Sequence, residues 1–370
     1  MRILVHAVAA KMGGALRQLR GLLKALSKMD KQREYFFLVN PKVSLPQVSE
    51  NIHLIETISF GNSPIISRFL FDQLEVPKIA QRYKVDLIIS LLNFGPLRPG
   101  VKQIVFERNP VYFCPLYLEE AGIKKRINAF LRRLLIKKTI DASEVVVVPT
   151  KAMGDAIRRY FPEIPEEKFR VIHHGLDPLF INETRAKEIK EEIKLLYATL
   201  PAPHKGYPIL FRGVAKLVEE GIPVKLILTM DERSWGKETK TYRKMAKILK
   251  IEQNIEFIGS FTQELVKNAY QNADIFVYPS FCESFGFPGV EAMAMGLPIV
   301  AADIPVFREL LSKGALFYPP KDPDALAKRV KELIEDKKLR EKLSREGRKR
   351  AREFSFERQA SELIELIKEM

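Results

Sequence analysis

Short continuous apolar runs alternate with stretches of helical spacing along most of the chain. Residues 2–8 (RILVHAV), 35–39 (YFFLV), 86–92 (DLIISLL), 103–106 (QIVF), 144–148 (EVVVV) and 170–173 (RVIH) read as strands. Leu16, Leu19, Leu22, Leu23 and Leu26 mark a helix over 15–28, and Thr150 suits the cap of another that carries Ala152, Ile157 and Tyr160. Strands that are apolar along their whole length and separated by helices predict a parallel sheet covered on both faces. After a polar stretch near 176–192 the pattern restarts. Strands are expected at 194–199, 224–230, 255–258, 274–278 and 298–301. Helices are expected at 206–220, 238–250, 262–271, 289–295 and 323–335, with a last one over about 356–369. The expected class is α/β, with two Rossmann-like open-sheet lobes of about 150 residues each. Ligands of such sheets sit at the carboxyl ends of the strands, so the two lobes are expected to face a central cleft.

Composition narrows the class further. A chain of 370 residues with 46 % hydrophobic side chains can bury a sizeable core, and long disorder is not expected. The formal charge of +15 is uneven: residues 1–175 hold 28 basic and 16 acidic side chains, the remainder 33 and 30. A positive first half suits nucleic acid, anionic lipid or a phosphorylated substrate. Cys114 and Cys282 stand far apart, which excludes a Cys-x-x-Cys zinc ribbon or dithiol site and fits a reducing compartment. Met1-Arg2 leads straight into Ile3-Leu4-Val5, which predicts a first strand instead of a signal peptide. No run of 18 apolar residues is present.

Three strand-to-helix loops can hold a phosphate. The segment 278–298 (YPSFCESFGFPGVEAMAMGLP) places Glu283 before a helix and Glu291 within it, with Pro288 suited to the first turn and Gly296-Leu-Pro298 to its end. Amides near 286–290 can cradle an anion, while the two glutamates suit sugar hydroxyls better than phosphate. The plainer reading is a connection with a surface Glu pair. Gly13-Gly14 opens the first helix and permits close backbone approach, or is simply a tight turn. Pro203-His204-Lys205-Gly206 follows another strand, and Lys205 there is either a phosphate ligand or a solvated side chain.

These segments resemble the retaining GT-B glycosyltransferases of family 4, the glycosyl transferases group 1, over nearly the whole chain. Glu283-Ser-Phe-Gly-Phe-Pro-Gly-Val-Glu291 with the following Ala-Met-Ala-Met-Gly-Leu-Pro is similar to the family's glutamate–seven residues–glutamate motif. Gly13-Gly14 is similar to its N-terminal glycine loop, and Val171-Ile-His-His-Gly-Leu-Asp177 to the strand leaving the first lobe. The resemblance implies an N-terminal acceptor lobe, 1–180 completed by a C-terminal helix 355–370, and a donor lobe, 181–354. It implies that Glu283 binds the donor sugar and Glu291 the nucleotide ribose. Gly286, Phe287, Pro288, Gly289 and Val290 are implied donor-binding positions between them. Gly13 and Gly14 are implied to approach the diphosphate, Lys205 with His204 to hold it, and Gly259, Ser260, Phe261 and Leu265 to border the base. No cofactor is implied; a nucleoside-diphosphate sugar is the donor substrate.

Two positions depart from the family pattern. Ala198-Thr199-Leu200-Pro201 lacks the Arg that often precedes the Lys, which leaves the diphosphate to Lys205, backbone amides and His204. Asn109, in Phe106-Glu107-Arg108-Asn109-Pro110, takes the place of a histidine that touches the transferred sugar. Asn can donate and accept but cannot titrate. Without an Asp-x-Asp at a strand end in the second lobe, no metal is expected. Same-face attack is expected, with Glu283 orienting the sugar; Glu107 is a minor nucleophile candidate whose plainer role is a salt bridge to Arg108 or another neighbour. The competing readings are a nucleotide-sugar epimerase or hydrolase, a non-catalytic nucleotide-sugar binder, and a dinucleotide oxidoreductase, the last lacking its G-x-G-x-x-G.

Residues 122–138 (GIKKRINAFLRRLLIKK) hold Lys124, Lys125, Arg126, Arg132, Arg133, Lys137 and Lys138, and no acidic residue. Ile123, Ile127, Phe130, Leu131, Leu134 and Leu135 fall close to helical spacing. The helix either packs its stripe on its own lobe with a charged face to water, or rests on an anionic bilayer. The second reading places the enzyme in the cytoplasm, peripheral on the inner face of the membrane. It would act there on a glycan or lipid-linked acceptor, with binding released by high salt. Nucleic acid is not an expected partner, because no stacking aromatics accompany the charge.

Overall fold

The computed structural model describes residues 1–57, 64–181, 191–259 and 262–370. The chain forms two compact units, Met1–Asp177 with Phe354–Met370, and Pro178–Glu353.

The first unit carries seven parallel strands. β1 (Arg2–His6), β2 (Glu34–Val39), β3 (Ile52–Glu56), β4 (Leu87–Ser90), β5 (Lys102–Phe106), β6 (Val145–Val148) and β7 (Phe169–Val171) lie in the order β3-β2-β1-β4-β5-β6-β7. Ile3 pairs with Tyr35 on one side and Leu87 on the other, so the order reverses between β1 and β4. Alternation along the strands splits the core in two. Ile3, Val5, Ile89 and Phe106 face the helices Gly13–Met29 and Phe356–Glu369. Val105 and Val146 face the other way, onto Ile136 and Ile140 of the helix Ile123–Asp141. The edge strand β3 has no counterpart in the sequence pattern: four of its five residues, beyond Ile52, stay partly or largely exposed, so no apolar run marks it. The helix Pro64–Leu70, which continues through a π-helical turn Phe71–Glu75 into Val76–Arg82, was likewise unsignalled.

The C-terminal helix Phe356–Glu369 closes the first core. Phe356, Ala360, Leu363 and Leu366 join the cluster of Leu19, Leu22 and Leu26. The Phe356 ring fits because Gly175 has no side chain: a Cβ there would stand 2.3 Å from ring Cδ1. Gly175 N donates to Gln359 Oε1 at 2.9 Å, and Gln18 Nε2 donates to Gly175 O at 2.8 Å.

The second unit has six parallel strands, β8 (Ile193–Tyr197), β9 (Val224–Leu228), β10 (Ile255–Phe257), β11 (Ile275–Tyr278), β12 (Ile299–Ala302) and β13 (Ala315–Tyr318), in the order β10-β9-β8-β11-β12-β13. Its order reverses between β8 and β11, the topological switch point of the sheet. The helix Glu232–Ile248 starts six residues before the expected 238 and breaks at Trp235, whose φ of −141° and ψ of 54° are not helical.

Gly175→Val should therefore lower unfolding stability by about 1–3 kcal/mol through overpacking against Phe356. Urea titration of wild type and variant checks this, and an unchanged midpoint would show that the helix yields freely.

Candidate functional site

In the second unit the switch point is built by two loops bonded to each other. The loop after β8 ends in a 3-10 turn Pro203–Lys205, then Gly206 at φ +68° opens the helix Tyr207–Glu219. Only glycine fits at 206: a Cβ would meet the Pro279 carbonyl oxygen, in the loop after β11, at 2.3 Å. The loop after β11 answers with Phe281 N and Ser280 Oγ, which donate to His204 O at 3.1 and 3.2 Å. Gly286, at φ +77°, then opens the helix Phe287–Ala294, with Pro288 in its first turn.

Lys205 Nζ lies 2.5 Å from Glu283 Oε1, with the side chains 16 % and 10 % exposed. Tyr278 Oη donates to the same oxygen at 3.2 Å, and Tyr197 Oη to Lys205 O at 2.7 Å. Burial pushes the Glu283 carboxyl up, but the Lys205 ammonium, His204 and the Ser280 hydroxyl together hold it below the ordinary glutamate value. Burial, reinforced by Lys205, brings His204 down to about 4, so it is neutral at neutral pH. Glu291, 4 % exposed, is anchored elsewhere: Tyr270 Oη donates to its Oε2 at 2.9 Å. The two glutamates thus hang from different tyrosines. The sequence reading names none of Tyr197, Tyr270 and Tyr278. A hydroxyl at the end of an apolar strand was a signal for the first and third; Tyr270 had none.

The other donor-side positions are placed individually. Gly289 and Val290 are buried within Phe287–Ala294, while Phe287 and Pro288 are half-buried. Gly259 is buried, its N donating to Met230 O at 3.2 Å. Leu265 is half-buried in the first turn of Gln263–Asn272, its N bonded to Thr262 Oγ1. Ser260 and Phe261 lie outside the described residues.

In the first unit, Gly13 and Gly14 begin the helix Gly13–Met29, whose N-cap residue Met12 supplies no side-chain bond. Asn109 caps the 3-10 turn Pro110–Tyr112: its Oδ1 accepts from Val111 N at 3.2 Å, and its own N donates to Asn93 Oδ1 at 3.1 Å. The amide oxygen is committed to the loop.

Glu107 corrects an expectation. It makes no salt bridge to Arg108; it is fully buried, and neither carboxyl oxygen has a hydrogen-bond partner. Arg108 lies instead over the Phe106 ring, 5.0 Å from its centroid. Burial alone raises the Glu107 carboxyl well above the usual range, which disfavours the ionised form that a nucleophile needs.

The basic helix does not follow the first of its two expected readings, in which the apolar stripe packs on its own lobe. Its inward positions are Ala129, Ile136, Thr139 and Ile140, and most of the apolar stripe faces solvent. Lys124, Lys125, Arg126 and Lys138 are exposed. Arg133 Nη1 donates to Tyr112 O at 2.9 Å, Lys137 pairs with Asp141 at 2.7 Å, and Arg132 lies against Phe94. Among the described residues, no three His, Cys, Asp or Glu side chains group as a metal site, and no helix is long and apolar enough to cross a membrane.

Comparison with known proteins agrees with this architecture. Residues 12–179 match the family described as Glycosyltransferase Family 4 and residues 180–350 the one described as glycosyl transferases group 1. O-antigen chain mannosyltransferase B of Escherichia coli is 32 % identical over 259 residues, 68 % of this chain and 61 % of that protein. The first curated relatives are each matched over about three-fifths of their own length. Among solved structures, sucrose-phosphate synthase from Thermosynechococcus elongatus superposes with a TM-score of 0.79 at 18 % identity, covering 100 % of this chain and 98 % of that one. HepE of Anabaena, in complex with UDP and glucose, gives 0.73 at 17 % identity with both chains fully covered. These likenesses show the fold: two Rossmann-like lobes of the GT-B kind.

The buried His204 sets an acid-side prediction. Between pH 6.5 and about 4 the unfolded imidazole binds a proton that the folded one refuses, so stability falls as pH falls through that window. Glu283, with its folded pKa lowered, adds its own loss at still lower pH. His204→Asn should flatten the first decline, by on the order of 2–3 kcal/mol at pH 4. Chemical denaturation at a series of pH values checks this; parallel curves for both proteins would refute it.

Proposed function

The chain belongs to the GT-B glycosyltransferases, matched by the family 4 and group 1 descriptions in turn, and from that premise we propose retaining transfer of a sugar from a nucleoside-diphosphate donor to an acceptor hydroxyl. The observation that carries this reading is the Lys205–Glu283 pair beside the Gly286-led helix, at the carboxyl edge of a parallel sheet. An ammonium and a helix start suit the charge that develops on a departing diphosphate. Glu283, kept ionised, accepts hydrogen bonds from sugar hydroxyls, and Glu291, fixed by Tyr270, accepts those of the ribose. His204 contributes a neutral imidazole, and Gly259 and Leu265 border the base. HepE was solved with UDP and glucose, which makes a uridine diphosphate sugar the first donor to try.

The leaving diphosphate oxygen takes the proton from the acceptor hydroxyl, which attacks from the face the diphosphate leaves. The carbon–oxygen bond to the diphosphate breaks as the new one forms. No enzyme carboxylate needs to bond the sugar, and burial without a partner makes Glu107 a poor nucleophile. In the first unit Gly13 and Gly14 serve the diphosphate, and Asn109 serves the transferred sugar. Escherichia coli O-antigen chain mannosyltransferase B works on a surface glycan by its name, and we assign this chain to the same class of task. It acts at the inner face of the membrane on a glycan or lipid-linked acceptor, docked by the basic helix Ile123–Asp141.

Glu283→Ala should lose transfer by 100-fold or more, on the order of a lost electrostatic contact in the transition state, while calorimetry shows bare nucleotide binding nearly intact. Glu291→Ala should instead weaken the nucleotide itself by roughly tenfold. Loss of nucleotide binding in the first variant, or none in the second, would exchange the roles.

Transfer should survive exhaustive EDTA, since the charge on the diphosphate is met by Lys205 and the helix start. A strict requirement for Mg²⁺ or Mn²⁺, restored on adding the ion back, would overturn that assignment.

A further inference from the structure

Two helices of the first unit turn their outer sides the same way. The pairing of Ile88 with Gln103 and of Ser90 with Val105 puts Ile88 and Val105 on one face of the sheet. Ile88 is covered by Val76 and Ala80, from the helix that begins at Pro64, and Val105 by Ile136 and Ile140 of Ile123–Asp141. The helices therefore lie over neighbouring strands on a common face.

The inward side of the first helix is fixed by Asp72. Its carboxylate takes His6 Nε2 at 2.7 Å and Arg68 Nε at 3.5 Å, both within the lobe. Leu70 and Leu74 stand on the opposite side, 49 % and 53 % exposed. On the second helix Ile127, Phe130, Leu131 and Leu134 are 44–59 % exposed, and Ile123 is 76 % exposed. One exposed leucine is ordinary; seven large apolar side chains on adjacent helices are not. Arg68 of the first helix and Arg132 of the second both approach the Phe94 ring, at 5.7 and 5.5 Å.

We propose that the two helices form one docking face that inserts Leu70, Leu74, Phe130 and Leu131 into the headgroup boundary of an anionic bilayer. Lys124, Lys125 and Arg126 then lie at the level of the lipid phosphates. Charge selects this occupant: residues 122–138 carry seven basic and no acidic side chains, so a second copy would bring like charge against like. The proposal rests on the peripheral docking stated above and changes its physics. Inserted apolar side chains are not screened by salt, so binding once formed resists high salt, although its onset does not.

Single tryptophans test the face in the full-length chain. Leu74→Trp and Phe130→Trp are mixed with vesicles of phosphatidylcholine and phosphatidylglycerol in equal parts, with and without brominated phosphatidylcholine. Both probes are expected to shift to the blue and to be quenched by bromine, beyond the wild-type signal of Trp235, and to do neither with phosphatidylcholine alone. The pair Leu70→Ser with Leu74→Ser should lower vesicle affinity about tenfold with an unchanged circular dichroism spectrum. Quenching at Phe130 but not at Leu74 would overturn the two-helix face and leave docking by one helix. Vesicle co-sedimentation with neither probe quenched would overturn insertion in favour of surface charge. Dimerisation without vesicles, lost in the serine pair, would give the face to a second copy. Transfer to a soluble acceptor is measured alongside. If it persists while vesicle binding fails, the docking face is wrong and the glycosyltransferase reading stands.

Discussion

An ammonium and a carboxylate, neither of which can be left alone at such burial, hold together the two loops that diverge from β8 and β11. Removing one partner of a buried pair costs about 3–5 kcal/mol, because the other charge stays behind. The rest of the site inherits its geometry from that constraint. With Lys205 fixed on Glu283, the carbonyl of His204 lies where Phe281 N and Ser280 Oγ donate to it. Gly206 must be glycine because Pro279 approaches so closely. The start of Phe287–Ala294 is then delivered beside the ammonium, so a positive charge and a helix start converge without a metal ligand between them.

Much of the fold was legible because the strands of a doubly covered parallel sheet are apolar throughout. The expected strands at 224–230 and 274–278 correspond to β9 and β11 with ends moved by one or two residues. β3 escaped because an edge strand, with only Ile52 buried, leaves no such run. The helix beginning at Pro64 escaped because its buried Asp72 and exposed Leu70 and Leu74 invert the usual pattern.

The candidate site was legible in position and not in partnership. Glu283 and Lys205 stand at strand-to-helix turns, and Glu291 in the helix that follows one of them, where sequence alone marks ligand loops. That Lys205 meets Glu283, 78 residues on, is a property of β8 lying beside β11, which no local pattern carries. Asn109 looked like a sugar contact by its place in a motif, yet its oxygen caps the turn that follows, a role that short polar side chains take before Pro. For the basic helix the sequence left two readings open, and burial goes against the one that packs the stripe on its own lobe. Its inward contacts are made by Ala129, Ile136, Thr139 and Ile140, so the widest apolar stripe was not the buried one.

Glu283 and Glu107 show what a partner does to a buried acid. Both are withdrawn from water, which by itself favours the neutral form. Glu283 has an ammonium at 2.5 Å and two hydroxyls nearby, and these outweigh the loss of solvent; it remains a carboxylate. Glu107 has no partner for either oxygen, so nothing opposes burial, which raises its carboxyl well above the ordinary range. The nearest cation in sequence, Arg108, lies over the Phe106 ring and makes no bond to Glu107. The two side chains are chemically identical, and what separates them is one lysine: it keeps Glu283 an acceptor of hydrogen bonds, while burial without a partner drives Glu107 towards its protonated form.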